Sequence, residues 1–205
     1  AGPHLTDPEQ AAIALTQLAI RHGVGGRVTA DMGAEGGALA YLIHEAPAFD
    51  EDGSTTIGEI VGWLGRLAPL RPDIVLLDYG QVIGAADFEA HRAQDPQVPL
   101  LQGMIHHSLL IGAGGNDPAP DSLTVPGAYS EVFSIGAAKA DGTRAPYSSW
   151  SPARGKPDLF MDDQLGNTPL AAVIAAQGPD GFIGSSAAAM HAMAAAGVVW
   201  SVLPQ

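Results

Sequence analysis

The chain contains no cysteine among its 205 residues. That excludes disulfides, thiolate catalysis and every zinc site built on cysteine. Cations are scarce. Nine Lys and Arg stand against 22 Asp and Glu, for a formal charge of −13. An acidic surface repels phosphate backbones, so nucleic acid is not an expected partner. No apolar run reaches the length of a membrane span. Residues 183–203 come closest, but they carry Ser185, Ser186 and His191 and are rich in alanine. They read as a core helix, and no membrane partner is expected. No basic stretch followed by an apolar one opens the chain, so no secretory signal is visible.

What is present is the composition of a globular protein. Apolar residues make up 46% and charged residues 15%, which excludes disorder. The length suits one domain with a real core, spanning 1–205 with a loose leader over 1–8.

Local patterns divide the chain into alternating elements. D-P-E-Q, residues 7–10, supplies a cap, an early proline and an acid before apolar spacing, which predicts a helix over about 8–22. R-V-T-A (27–30) reads as a short strand. E-G-G-A-L-A-Y-L-I-H-E (35–45) reads as a helix stopped before Pro47, and 56–67 as a second helix. P-D-I-V-L-L-D-Y-G (72–80) is a near-continuous apolar run ending in glycine, as a buried parallel strand reads. A polar helix over about 85–95 follows, then an apolar strand within 109–117 that ends in a glycine loop, and a strand over 132–138. Residues 143–150 read as a surface hairpin or loop, 157–161 as a strand and 186–202 as the last helix. Strands alternating with helices predict an α/β fold with an open, mostly parallel sheet.

In such a sheet the ligand site lies beyond the carboxyl ends of the strands. Three loops fall there: Asp78-Tyr79-Gly80, Gly114-Gly115-Asn116-Asp117 and Gly184-Ser185-Ser186. G-A-G-G-N-D (112–117) fails as a nucleotide loop, because Asp117 and Pro118 stand where a final glycine and a helix are needed. Asn116 can instead be an amide donor to an oxyanion, or the polar member of a plain turn. Ser186, in the first turn of a helix, is either a nucleophile beside free N–H groups or a helix cap. No metal site is expected. His106 and His107 are adjacent and point apart, no His-Glu-x-x-His occurs, and Asp50, Glu51 and Asp52 read as a solvated loop. No cofactor is expected either.

Four segments then occur in order: L-L-I-G-A-G-G-N-D (109–117), P-G-A-Y-S-E-V-F-S-I-G-A-A (126–138) and on to Trp150-Ser151-Pro152, G-K-P-D-L (155–159), and G-S-S-A-A-A-M-H-A-M-A (184–194). Together they resemble the C-terminal half of the subtilisin-like serine proteases, the subtilases. The resemblance implies a three-layer subtilisin-like α/β fold, here shortened at the N-terminal side. It places Ser186 on the nucleophile, Asn116 on the oxyanion-hole amide and His191 on a structural helix histidine. A-E-G-G-A-L-A-Y-L-I-H-E-A-P (34–47) resembles the segment carrying the family's general-base histidine, with Glu35 at that position. Residues 72–80 resemble the strand lining the substrate cleft, with Tyr79, Gly80, Gly114 and Gly115 along a bound peptide.

Two mechanisms follow from the resemblance. In one, Glu35 is the base and Asp31 or Asp78 the second acid, as in the related sedolisin serine-carboxyl peptidases, giving a peptidase acting on polypeptides. In the other, the base is lost and the domain is an inactive pseudoprotease that binds a peptide or partner protein, with a strand adding beside residues 78–81.

Overall fold

Two apolar runs of the sequence become adjacent parallel strands. The computed structural model describes residues 26–30, 39–43, 55–163 and 183–202. Within these, β1 is Gly26–Ala30, β2 Leu39–Ile43, β3 Ile74–Leu77, β4 Gln81–Ile83, β5 Leu109–Ala113, β6 Leu123–Val125, β7 Phe133–Ala138 and β8 Leu159–Asp162. The helices are α1 Ile57–Leu67, α2 Phe88–Gln94, α3 Val98–Met104 and α4 Ser185–Val202.

The central sheet has the order β3-β5-β7-β8, and every pairing in it is parallel. This is the mostly parallel α/β sheet that the alternating elements predict. Two antiparallel pairs, β1 with β2 and β4 with β6, stand apart from it. Successive side chains of a strand face opposite sides, so β3 and β5 feed two cores. Val75, Leu77 and Leu110 join Ile60, Leu64 and Leu101 of α1 and α3 on one side. Ile111, Ala113 and Ile135 join Ala188, Ala189 and Ala192 of α4 on the other. The result is helix, sheet and helix in three layers.

The alanines of α4 are what let it lie this close. Ala187, Ala188 and Ala189 are fully buried, and the helix touches all four strands of the central sheet. A larger side chain there would overpack the layer at a cost of about 1–3 kcal/mol. Among the described residues no helix is long and apolar enough to cross a membrane. α1 starts where its sequence says it should. Thr56 Oγ1 accepts from the Glu59 N–H at 3.2 Å, while Glu59 Oε2 accepts from the Thr56 N–H at 3.0 Å, a reciprocal cap.

Several elements differ from the expectations. Residues 39–43, predicted within a helix, form strand β2 paired in register with β1. A five-residue apolar run fits either state, and here the partner strand decides it. By contrast, β3 stops at Leu77 and β5 at Ala113, which leaves Asp78–Gly80 and Gly114–Asp117 as the loops expected at the strand ends, with Asp78–Gly80 turning into β4. Helix α3 and strand β6 were not anticipated. The expected helix over 8–22 lies outside the described residues, as do Asp31, Glu35 and the acidic loop at 50–52.

Candidate active site

β3 and β5 are neighbours, with Leu77 in register with Gly112, so their trailing loops emerge side by side. The start of α4 meets both. Gly184, at φ +114°, makes the turn into α4, a conformation that L side chains rarely adopt. A Cβ there would also sit 3.0 Å from Asn116 Nδ2. The turn is held from below by Asp163, whose Oδ2 accepts from the Gly184 N–H at 3.3 Å.

Two hydrogen bonds then lock the α4 turn onto the β5 loop. Ser185 Oγ accepts from the Gly115 N–H at 3.0 Å, and the Ser185 N–H donates to Asn116 Oδ1 at 2.8 Å. Ser185 is 1% exposed, so both bonds are shielded from water. Its hydroxyl therefore serves the neighbouring loop. The next residue, Ser186, is only partly buried, and its side chain meets Asp78.

The same pair of bonds sets the Asn116 amide. With Oδ1 engaged, Nδ2 is the free end, and among the described residues nothing accepts from it. Asn116 is exposed, so Nδ2 is available to a ligand. Ser149 braces the loop from behind, accepting from the Asp117 N–H at 2.9 Å and donating to the Asp117 carbonyl at 3.0 Å.

Asp78 faces this turn from the end of β3. Its side chain is a hydrogen-bonding neighbour of the Ser186 hydroxyl. Burial raises its pKa above the usual aspartate range, and the Ser186 contact opposes this in part. Its Oδ1 is buried and has no hydrogen-bond partner among the described residues.

The Tyr79 side chain is engaged within the fold. Its hydroxyl donates to Gln97 Oε1 at 2.6 Å. Gln97 in turn donates from its N–H to Asp95 Oδ1 at 2.9 Å, and the Tyr129 hydroxyl donates to Asp95 Oδ2 at 2.5 Å. Burial, and then the nearby Asp95 charge, push the Tyr79 phenol well above its ordinary pKa. Arg92 closes the network. It lies 5.2 Å from the Tyr129 ring centre and forks onto Glu131 through two bonds of 2.8 and 2.6 Å. The Tyr79 side chain is thus an anchor for the turn that carries Asp78.

Gly80 and Gly115 both lie against Thr124 of β6, and Gly114 packs on β7, donating from its N–H to the Ile135 carbonyl at 2.7 Å. Of the residues singled out from sequence, Asp78 meets Ser186, Gly115 and Asn116 bond to Ser185 beside it, and Gly80 shares Thr124 with Gly115. Thr124, Ser185 and the Tyr79 network were missed. A Leu-Thr-Val run before Pro126 is a short-strand signal, but nothing in it points to a cleft. Among the described residues no three His, Asp or Glu side chains group as a metal site.

The sequence model of the subtilase family matches residues 23–205. The chain belongs to the subtilase family. No curated protein matches its sequence significantly. Solved structures share the fold. The prenylagaramide maturation protease PagA is 23% identical, with a TM-score of 0.53 over 73% of this chain and 51% of that one. A cold-adapted subtilisin-like serine proteinase is 18% identical, with a TM-score of 0.54 over 74% and 50%. The PatG macrocyclase, solved in complex with a peptide, is 17% identical, with a TM-score of 0.56 over 71% and 42%. The chain spans about half the length of the structures it matches.

Proposed function

We propose that this chain is a serine peptidase acting on polypeptides, with Ser186 as the nucleophile. One observation carries the reading. Asn116 Oδ1 is fixed by the Ser185 N–H at 2.8 Å, which leaves the Nδ2 donor of this exposed residue uncommitted at the turn that leads into Ser186. That is the arrangement an oxyanion needs. The Ser186 backbone N–H, at the positive end of α4, is the second donor.

Asp78 is the group that faces the Ser186 hydroxyl, and its contact supports a role as proton acceptor. In this scheme Ser186 Oγ bonds to the carbonyl carbon while its proton passes to the ionised Asp78 carboxylate. Asp78 then returns the proton to the leaving amine as the amide bond breaks. Water hydrolyses the remaining ester by the same route in reverse. Glu35, the base that the family resemblance implies, lies outside the described residues.

The test is covalent labelling by a fluorophosphonate. Ser186 of the intact chain is expected to label, and Ser186→Ala is expected not to. Absence of labelling across about pH 4 to 8 would refute the peptidase reading, because a carboxylate base is ionised over part of that range. It would favour the inactive peptide-binding scaffold.

A further inference from the structure

The turn that carries Asp78 has few grips of its own. Residues 78–80 link β3 to β4. Gly80 has no side chain, and Asp78 Oδ1 has no hydrogen-bond partner among the described residues. Apart from the Asp78 contact with Ser186, the Tyr79 hydroxyl makes the one side-chain hydrogen bond among the described residues that ties this turn to another element, at 2.6 Å to Gln97 Oε1. Tyr79 follows Asp78 directly, and its ring packs against the core that holds Leu64 of α1 and Leu101 of α3. Movement of that ring moves the backbone from which Asp78 projects.

The bond has a fixed direction. Gln97 is 4% exposed and caps the start of α3. Its Nε2 lies 3.3 and 3.2 Å from the two oxygens of Asp95. A carboxylate only accepts, so the amide presents Nε2 to Asp95 and Oε1 to Tyr79, and the phenol must donate. Asp95 is fixed in turn by the Tyr129 hydroxyl at 2.5 Å and the Gln97 N–H at 2.9 Å. His91 Nε2, 3.7 Å from Asp95 Oδ2, and the Arg92–Glu131 pair beside Tyr129 are the titratable and charged neighbours at this end. The carboxylate orients the amide, the amide orients the phenol, and the phenol holds the turn.

We infer that Gln97, acting through the Tyr79 hydroxyl, is a positioning residue that holds Asp78 against Ser186. The inference rests on the proposed role of Asp78 as proton acceptor. Loss of the Gln97 bond frees Tyr79 and lets the turn open to water. Asp78 then loses burial, the main cause of its raised pKa, and its titration moves down toward the ordinary aspartate range.

Carbon-13 NMR of the Asp78 carboxyl, titrated in the intact chain, tests it. In Tyr79→Phe and in Gln97→Met the Asp78 midpoint is expected to fall by at least about 0.5 pH unit, or ~3-fold in proton affinity. Two single variants guard against a packing defect peculiar to either. The double variant is expected to match the larger single shift, because both changes remove one bond. Thr56→Ala breaks the α1 cap and weakens the fold away from the turn, so its Asp78 midpoint is expected to stay at the parent value. An unmoved midpoint in both single variants, additive shifts in the double variant, or an equal shift in Thr56→Ala overturns the inference. Fluorophosphonate labelling of the same samples separates the two readings. Both single variants are expected to label about 10-fold slower than the parent, and labelling at the parent rate overturns the positioning role. A parent that does not label while the midpoints still move supports the anchor and overturns the peptidase.

Discussion

Glu131 lies far from the nucleophile in sequence, yet its charge should help hold the cleft together. Arg92 grips it through two bonds of 2.6 and 2.8 Å, and its side chain is only 6% exposed. The Arg92 bonds, aided by Gln102, hold its carboxyl down to about 2 from an ordinary 4.5. At 1.36 kcal/mol per pH unit that corresponds to about 3 kcal/mol favouring the folded state when Glu131 is ionised. The sign follows from the direction. A folded-state pKa below the unfolded one gives stability that is complete above about pH 4.5 and lost as pH falls toward 2. Glu131→Gln keeps one acceptor for Arg92 but removes the charge, so we expect a loss of about 2 kcal/mol at neutral pH. Urea denaturation of parent and variant between about pH 7 and pH 3 measures it, as a midpoint difference at constant slope. The gap should narrow steadily below about pH 4.5. A gap that stays constant to pH 3 would refute the reasoning, because it would show that packing and not charge is lost.

Two further outcomes concern the cleft. Asn116→Asp keeps the acceptor for the Ser185 N–H but deletes the Nδ2 donor, so labelling of Ser186 should slow by about 10²–10³-fold with the urea midpoint unchanged. Labelling at the parent rate would remove Asn116 from the oxyanion site. Asp78 can accept a proton only when ionised, and its pKa is raised, so the labelling rate should climb with pH through that raised value and then level off. Asp78→Asn should flatten this limb and cut the plateau by about 10²-fold. It should also stabilise the fold at neutral pH, since a buried carboxylate with one unpartnered oxygen is replaced. A variant that keeps the pH limb would assign it to another base.

Much of the sheet was legible because burial on both faces leaves its mark in sequence. Ile74–Leu77 and Leu109–Ala113 are continuous apolar runs, and both are central parallel strands. Leu39–Ile43 is equally apolar and no shorter, but it stands inside a segment that reads as a helix, and pairing with β1 makes it a strand. Helix α3 went unread although Pro99 stands in its first turn, a position that favours helix starts. The positions of Ser186 at the start of α4 and Asn116 in the loop after β5 were legible through order and spacing along a family pattern. Ser185 was not separable from Ser186 by sequence, since either could cap the helix. Ser185 is buried and Ser186 only partly so, and it is Ser185 that the β5 loop engages. Thr124 was invisible for the same reason: its meaning lies in two glycines, one 44 residues before it and one nine residues before it.

The two bonds between Ser185 and the Gly115–Asn116 loop join residues 70 and 69 positions apart. Contacts of that separation close large loops, and the entropy of closure must be met before they form. Ser186 and Asn116 therefore cannot come together in a chain whose last helix has not docked. If Ser186 is the nucleophile we propose, a partly folded molecule carries it without its amide donor, and reactivity arrives only with completed folding.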